Sequence, residues 1–262
     1  RPENTTFYSN ALWTQYFQHA KSHARKNFAF NPGLDTWLLD LTRTEPFHSA
    51  LDYGSGPGTT LRRLRHRGGI KYLIGVDVDD LRKLDAGKKQ IYYENFEEGP
   101  VLYQLDVVNE PLVAEFSVDL VMFLSVLQYM PRSKHCGLFN FLALITCKLF
   151  IFNAAEKFTV HGGIPLAVRT QRDMVADFEA RGFILEHVLT EECRKRSTFL
   201  WMRQTCLVFR PPGYNLVKPR LVDCAREQSG AHAVETFFAG GNRRQCCMDV
   251  LETKCSNCTQ FQ

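Results

Sequence analysis

Strand-like and helix-like segments alternate between residues 50 and 180, and this alternation restricts the fold more than any other feature. Strands that are joined through helices pair in parallel, with helices on both faces of the sheet. The predicted strands are Ala50–Tyr53, Lys71–Val78, Val101–Val107, Val118–Leu124 and Lys148–Asn153. The predicted helices are 59–66, 80–96, 132–146 and 170–180.

The pattern changes after residue 182. Two predicted strands, Phe183–Leu189 and Phe199–Phe209, follow one another without a helix between them, which indicates an antiparallel hairpin at a sheet edge. The expected fold class is therefore α/β, a doubly wound, mostly parallel seven-stranded sheet with a C-terminal antiparallel hairpin. Pro211-Pro212-Gly213 ends this unit.

A chain of 262 residues forms one large domain, or one domain with a small appendage. Residues 1–45 are predicted to be helical and rich in aromatic residues, with a break at Asn31-Pro32-Gly33, and to form a lid or cap. Residues 46–212 form the sheet domain. Residues 213–262 form a separate tail that is rich in cysteine.

Charge and hydropathy exclude few functions. The net charge of +4 comes from 32 basic and 28 acidic residues, a balance that requires no nucleic-acid partner. The longest apolar run, 138–155, contains Asn140, Lys148 and Asn153, so we expect no membrane span. We also expect no signal peptide, and a chain that begins with Arg1 is expected to be processed or trimmed.

Three glycines lie between the first predicted strand and its helix. Gly54 and Gly56 allow a tight turn and close approach of a ligand, and Gly58 leaves room where the helix begins. Backbone N–H groups at a helix start attract negative groups. Ligands of open α/β sheets bind beyond the carboxyl ends of the strands, where Asp52, Asp77 and Asp106 all lie. The expected role of Asp77 is to bind ribose hydroxyls.

This loop has two other interpretations. A nicotinamide or flavin dinucleotide site requires G-x-G-x-x-G, but here the third glycine comes one residue early and Thr59 stands in its place. The glycines could also serve only a turn. The glycine spacing disfavours the dinucleotide site, and the acids at the strand ends favour cofactor binding over a turn alone.

The segment Leu51-Asp52-Tyr53-Gly54-Ser55-Gly56-Pro57-Gly58 resembles the first motif of class I S-adenosylmethionine-dependent methyltransferases. The resemblance implies that this loop holds the methionine part of the cofactor, and that Asp77 binds the ribose. It also implies that 119–125 matches the fourth motif, beside the transferred methyl group. The implied cofactor-binding residues are Asp52, Gly54, Ser55, Gly56, Gly58, Asp77, Val78, Asp106, Val107 and Leu124.

Methyl transfer mainly requires that nucleophile, methyl and sulfur be held in line and that water be excluded. Ser125 and Tyr129 after the fourth strand, and His161 after the fifth, are the candidate catalytic residues. Additional candidates are Gln128, Tyr16 and His19. Each of them has a purely structural role as its alternative.

Missing motifs narrow the substrate class. The fifth strand ends in Phe152-Asn153 instead of the lysine of RNA 2′-O-methyltransferases, and Leu124-Ser125-Val126-Leu127 replaces the Asn/Asp-Pro-Pro-aromatic motif of amino-group methyltransferases. We therefore favour a small-molecule acceptor. The alternatives are RNA cap guanine-N7 methylation and a non-catalytic partner subunit. The basic run 62–67 is interpreted as the solvated face of a helix, with phosphate binding as the alternative. The run 194–196, in the predicted hairpin connection, is likewise interpreted as solvated.

The nine cysteines fall into two groups. Cys136, Cys147, Cys193 and Cys206 are expected to be buried, reduced thiols. Those of the tail suggest a zinc site, which Cys224 or His232 could complete, or disulfides, or free thiols in a disordered tail. The zinc-ligand candidates are Cys246, Cys247, Cys255 and Cys258. The cytosolic methyl donor favours a cytoplasmic location, with a lumenal or secreted one as the alternative.

Overall fold

The computed structural model describes residues 31–55, 58–77, 101–104, 118–130, 132–154, 156, 160–161, 164–165, 168–211, 221–222, 224 and 234–235. The helices in this part of the chain are α1 Pro32–Thr44, α2 Thr59–Gly68, α3 Arg132–Ile145, α4 Gln171–Ala180, α5 His187–Arg196 and α6 Leu200–Thr205. The strands of the main sheet are β1 Ser49–Tyr53, β2 Tyr72–Asp77, β3 Val101–Gln104, β4 Val118–Leu124, β5 Thr146–Asn153, β8 Ile184–Leu185 and β9 Leu207–Arg210. Two short ribbons consist of β6 Val160–His161 with β7 Ile164–Pro165, and β10 Leu221–Val222 with β11 Val234–Glu235.

The main sheet has the strand order β3-β2-β1-β4-β5-β9-β8. Its first five strands pair in parallel, as the strand–helix alternation predicts, and β9 and β8 are antiparallel. In the centre, Leu51 of β1 lies opposite Ile74 of β2 and Val121 of β4. The sheet is therefore mixed, and its parallel part lies at the centre.

Both faces of the sheet are buried. On one face, Phe123 of β4 and Phe150 of β5 pack with α3 and α4 in an aromatic-rich core. On the other face, Met122 of β4 and Ile151 of β5 pack with α1, α2, α5 and α6. Burial on both faces explains why these strands are continuous apolar runs in the sequence.

Asn31 fixes the first described helix to the segment between α5 and α6. Its Oδ1 accepts from the N–H of Leu34, which caps α1, and from the Thr198 N–H at 2.9 Å. Its Nδ2 donates to Ser197 Oγ at 2.8 Å. The predicted helix break at 31–33 is confirmed as the start of α1, whose apolar side chains lie in the core. The lid assigned to residues 1–45 stays a prediction, since 1–30 lie outside the described residues.

The predicted hairpin is correct in its pairing and wrong in its connection. Leu185 of β8 lies opposite Phe209 of β9, but α5 and α6 separate the two strands, where the sequence interpretation had continuous strands to residues 189 and from 199. Burial in this region recurs every three residues, at Thr190 and Cys193 and again at Met202 and Thr205. That spacing is helical, so short apolar stretches here were mistaken for strands.

The expectation of reduced thiols is wrong. Cys136 forms a disulfide with Cys224, and Cys193 forms one with Cys206, at Cα–Cα distances of 5.6 and 6.3 Å. Cys147 is also disulfide-bonded. Burial alone does not separate a thiol from a disulfide, because only the fold brings two Cβ atoms within bonding reach.

The zinc hypothesis loses one of its residues. Cys224 is bound to Cys136, so it is not available as a zinc ligand. Within the described ranges, no group of three or more His, Cys, Asp or Glu could hold a metal. The four proposed ligands, Cys246, Cys247, Cys255 and Cys258, lie outside those ranges, as does His232.

Asn140 of α3 holds the first part of the tail. Its Nδ2 donates to the Val222 carbonyl at 2.8 Å, and its Oδ1 accepts from the Val222 N–H at 3.1 Å. Arg181, which is fully buried, donates to the same Oδ1 at 2.9 Å. Two hydrogen bonds between the Asn140 side chain and the Val222 backbone, together with the Cys136–Cys224 disulfide, therefore attach residues 221–224 to the domain.

No helix within the described part of the chain is long and apolar enough to cross a membrane. The apolar run at 138–155 divides into the end of α3 and the buried strand β5.

The disulfides can be tested by alkylation. When the protein is denatured without reductant and treated with iodoacetamide, Cys136, Cys147, Cys193, Cys206 and Cys224 should stay unlabelled, and all five should react after reduction. Peptide mass spectrometry identifies the sites. Replacing both Cys193 and Cys206 by Ser should lower the free energy of unfolding by about 3 kcal/mol, because a cross-link of this span restricts the unfolded chain. Labelling of either without reductant would contradict the pairing.

Candidate functional site

The carboxyl ends of the parallel strands meet at one edge of the sheet, here called the rim. Tyr53 of β1, Asp77 of β2, Leu124 of β4 and Asn153 of β5 end these strands. Asp77 lies opposite Gln104 of β3, one residue beyond the last β1–β2 pair. In open α/β sheets this edge is where ligands bind.

The loop after β1 is held against β2 by its backbone. The N–H groups of Gly54 and Ser55 both donate to the Val76 carbonyl, at 2.7 and 3.1 Å, and the Gly58 N–H donates to the Ser55 carbonyl. Gly54 and Gly58 have φ of 82° and 73°, a left-handed backbone that other residues rarely adopt. Gly58 is the residue before α2, so the loop turns directly into the helix. Gly56 lies outside the described residues.

A second loop, after β4, lies against the first. A Cβ atom on Gly54 would overlap Cγ2 of Val126, so Val126 occupies the space that a side chain at Gly54 would need. Ser125 has a φ of 64°, the only left-handed non-glycine residue in the described part of the chain. Gln128 Nε2 donates to the Ser125 carbonyl at 2.9 Å. The structure therefore brings the glycine loop and the candidate residue Ser125 together.

Sequence reasoning missed the residue that holds Ser125. Asn153 is fully buried, its backbone carbonyl accepts from the Ser125 N–H at 2.9 Å, and its Oδ1 accepts from Ser125 Oγ at 2.9 Å. Its Nδ2 donates to Thr205 Oγ1. The available signal was an amide side chain that directly follows the apolar strand segment Leu149-Phe150-Ile151-Phe152.

One buried atom at the rim fits a cofactor. Oγ1 of Thr59, in the first turn of α2, is buried and has no hydrogen-bond partner among the described residues. The N–H groups of a first helical turn are also free of helical partners. A hydroxyl and N–H groups at the positive end of a helix suit a carboxylate, such as that of the methionine part of S-adenosylmethionine.

Asp119 does not lie at the rim. Its Oδ2 accepts from the His48 N–H at 2.7 Å and pairs with Lys148 Nζ at 3.4 Å, at the amino end of β4. Of the segment 119–125, only Leu124 and Ser125 reach the carboxyl end of the strand. Asp52 is buried within β1, opposite Gly75 and Met122.

His135 fastens the loop after β4 to α3. Its Nε2 lies 3.0 Å from the Met130 carbonyl, to which it donates, and the ring is buried. Burial lowers the pKa of His135 to about 4, and the charges of Arg169 and Arg132 act in the same direction. The imidazole is therefore neutral at physiological pH.

Several predicted site residues are described by their backbone alone or lie outside the described ranges. The structure describes the backbone, but not the side chains, of Asp77, Tyr129 and His161. The residues that lie wholly outside the described ranges are Tyr16, His19, Gly56, Val78, Asp106 and Val107.

The basic runs have local partners. Arg63 pairs with the buried Asp35 at 3.1 Å, and Arg65 donates to the Lys71 carbonyl. In the second run, Arg194 donates to the Cys206 carbonyl at 3.0 Å. These contacts favour the interpretation as helix faces over a phosphate-binding surface.

Comparison with solved structures identifies the fold. No family model matches the chain, and neither does any curated protein. Among solved structures, a complex of the Haloferax volcanii Trm112 methyltransferase activator with a proposed methyltransferase matches at 15% identity and a TM-score of 0.55, covering 78% of this chain and 99% of the other. The 1,6-didemethyltoxoflavin-N1-methyltransferase of Burkholderia thailandensis matches at 14% identity and a TM-score of 0.53, covering 78% and 89%. The fold is that of class I S-adenosylmethionine-dependent methyltransferases.

The contact between the two rim loops can be tested with a pair of glycine variants. Gly54→Ala and Gly69→Ala both place alanine in a left-handed backbone, but a Cβ at Gly69 meets nothing within 4 Å. Gly69→Ala should therefore cost about 1 kcal/mol of unfolding free energy in urea denaturation, the cost of the backbone conformation alone. Gly54→Ala should cost at least about 2 kcal/mol more, because Val126 must move. Equal losses would contradict the contact.

Stability should depend on pH through His135. Its pKa is about 4 when folded against 6.5 when unfolded, so the unfolded chain binds more protons between these values. The neutral His135 ring makes its full contribution to the free energy of unfolding above pH 6.5. That contribution, roughly 3 kcal/mol in all, is lost as the pH falls towards 4. His135→Gln, measured by urea denaturation at pH 4.5 and 7, should reduce this difference. His66→Gln, at an exposed position of α2, should leave it unchanged; equal pH dependence in both variants would count against the assignment.

Proposed function

We propose that this chain, which has the class I methyltransferase fold, transfers a methyl group from S-adenosylmethionine to a small-molecule acceptor. The observation that carries the proposal is the glycine loop at the rim. Gly54 is left-handed, anchored to Val76 and in contact with Val126. A loop with these constraints, next to the ends of β2 and β4, suits a cofactor that extends across both strands.

The first residues of the loop are held by backbone hydrogen bonds to β2. Gly54 and Ser55 direct their N–H groups to Val76, so they serve the loop itself and not the ligand. The start of α2, with the buried hydroxyl of Thr59, is left to bind the carboxylate of the methionine part. Asp77 would bind the ribose hydroxyls, and Val78, Asp106 and Val107 would line the adenine pocket, as the resemblance implies.

The acceptor would lie near Ser125. S-adenosylmethionine supplies a sulfonium methyl that is already activated, so the protein has to align the acceptor and exclude water. The Ser125 hydroxyl donates to Asn153, which leaves its lone pairs for an N–H or O–H group of the acceptor. Tyr129, which follows β4, and His161, which lies in β6, are the other candidates.

The small-molecule acceptor is supported by comparison and by absent motifs. The Burkholderia enzyme of this fold was solved with 1,6-didemethyltoxoflavin and S-adenosylhomocysteine. In this chain, Asn153 ends β5 where RNA 2′-O-methyltransferases carry a lysine.

The disulfides change the proposed location. Disulfides persist in oxidising compartments and are rare in the cytosol. Five described cysteines are disulfide-bonded, and Cys193 and Cys206 are fully buried. We therefore propose a lumenal or extracellular location in place of the cytoplasmic one. Endogenous protein that is alkylated at Cys193 and Cys206 without prior reduction would refute it.

Cofactor binding can be tested by thermal shift. S-adenosylhomocysteine at a hundredfold excess over its Kd should stabilise the wild type by about 2.7 kcal/mol. Asp77→Ala should weaken this shift, whereas Asp40→Ala, on the half-exposed side of α1, should keep it. The absence of any shift in the wild type would contradict the proposal and favour the alternative of a non-catalytic partner subunit.

A further inference from the structure

We infer that Asn153 is a positioning residue for the glycine loop, and that Thr205 in turn orients Asn153. The inference depends on the proposed function in one respect, namely that the loop binds S-adenosylmethionine or its product. The contacts form one continuous series from the end of α6 through the ends of β5 and β4 to the loop after β1.

Asn153 holds Ser125 at two points. Its backbone carbonyl accepts from the Ser125 N–H, and its Oδ1 accepts from the Ser125 hydroxyl, each at 2.9 Å. The first contact continues the β4–β5 pairing, in which Leu124 lies opposite Asn153. The second requires a side chain with an acceptor atom at this position, which the amide oxygen of Asn153 provides.

These contacts hold Ser125 in a strained backbone conformation. Ser125 has a φ of 64°, a conformation that is unfavourable for residues other than glycine and persists where the surroundings impose it. Without the side-chain contact from Asn153, the backbone at Ser125 is expected to relax towards the extended region. Such a change would move Val126, the next residue.

Val126 transmits the change to the glycine loop. Its Cγ2 fills the space beside Gly54, whose N–H donates to the Val76 carbonyl. If Val126 shifts, Gly54 loses the packing that limits its movement, and the hydrogen bonds of Gly54 and Ser55 to Val76 open more often. The start of α2 follows directly after this loop.

Thr205 determines which way the Asn153 amide faces. Its Oγ1 accepts from Asn153 Nδ2, so Oδ1 faces Ser125. Thr205 ends α6 and precedes Cys206, which is joined to Cys193 of α5. Leu207 then pairs with Phe152, the neighbour of Asn153. The hydroxyl therefore lies on a segment that a disulfide and a strand pairing both restrain.

The experiment compares two buried or half-buried asparagines. In Asn153→Ala, the Kd for S-adenosylhomocysteine from calorimetry should rise about tenfold, and amide exchange at residues 53–58, measured by mass spectrometry, should become faster. Asn140→Ala is the matched control, because it also removes hydrogen bonds but lies at the tail contact. It should lower the melting temperature and leave both the Kd and the exchange at the wild-type level.

Thr205 provides a second pair of variants, which stays informative if Asn153→Ala does not fold. Thr205→Val keeps the shape but removes the hydroxyl, and it should raise the Kd about threefold. Thr205→Ser restores the hydroxyl and should restore the wild-type Kd.

The outcomes separate the two hypotheses. Unchanged Kd and unchanged exchange in Asn153→Ala, or equal Kd values in Thr205→Val and Thr205→Ser, would overturn the positioning role. A wild type that does not bind S-adenosylhomocysteine, combined with faster exchange at 53–58 in Asn153→Ala, would refute the proposed function and support the positioning role.

Discussion

The parallel pairing of β1 with both β2 and β4 is the interaction on which the other features depend. It places the ends of three strands at one edge, so that loops from distant parts of the sequence emerge side by side. Because the centre of the sheet is covered on both faces, its strands are apolar throughout and their register is strongly determined. This register then determines the positions of the rim loops.

One face of the sheet is held by contacts between the two ends of the domain. Asn31 caps α1 and binds the segment between α5 and α6, and Trp37 Nε1 donates to Glu192 of α5 at 3.1 Å. The Cys193–Cys206 disulfide joins α5 to the residue before β9 in the same layer. The insertion between β8 and β9 is thus part of the core, and it restrains the segment that reaches the rim at Thr205.

Much of the fold could be predicted from residue patterns, since local periodicity reports burial. The parallel centre, the helices α2 and α3 that connect its strands, and the start of α1 after Asn31 all followed from such patterns. The region after residue 182 could not, because strands and short helices give similar apolar runs over so few residues. The disulfides were missed for a different reason: Cys136 and Cys224 lie 88 residues apart, and nothing local relates them.

The sequence by itself determined the strand–loop–helix unit around Gly54 and Gly58, because only glycine accepts those backbone angles without strain. Only the tertiary structure decided that Val126 fills the space at Gly54, that Asn153 accepts a hydrogen bond from Ser125, and that Thr205 accepts one from Asn153. These are contacts between residues far apart in the chain, and they depend on strand register and helix packing, which no local pattern specifies.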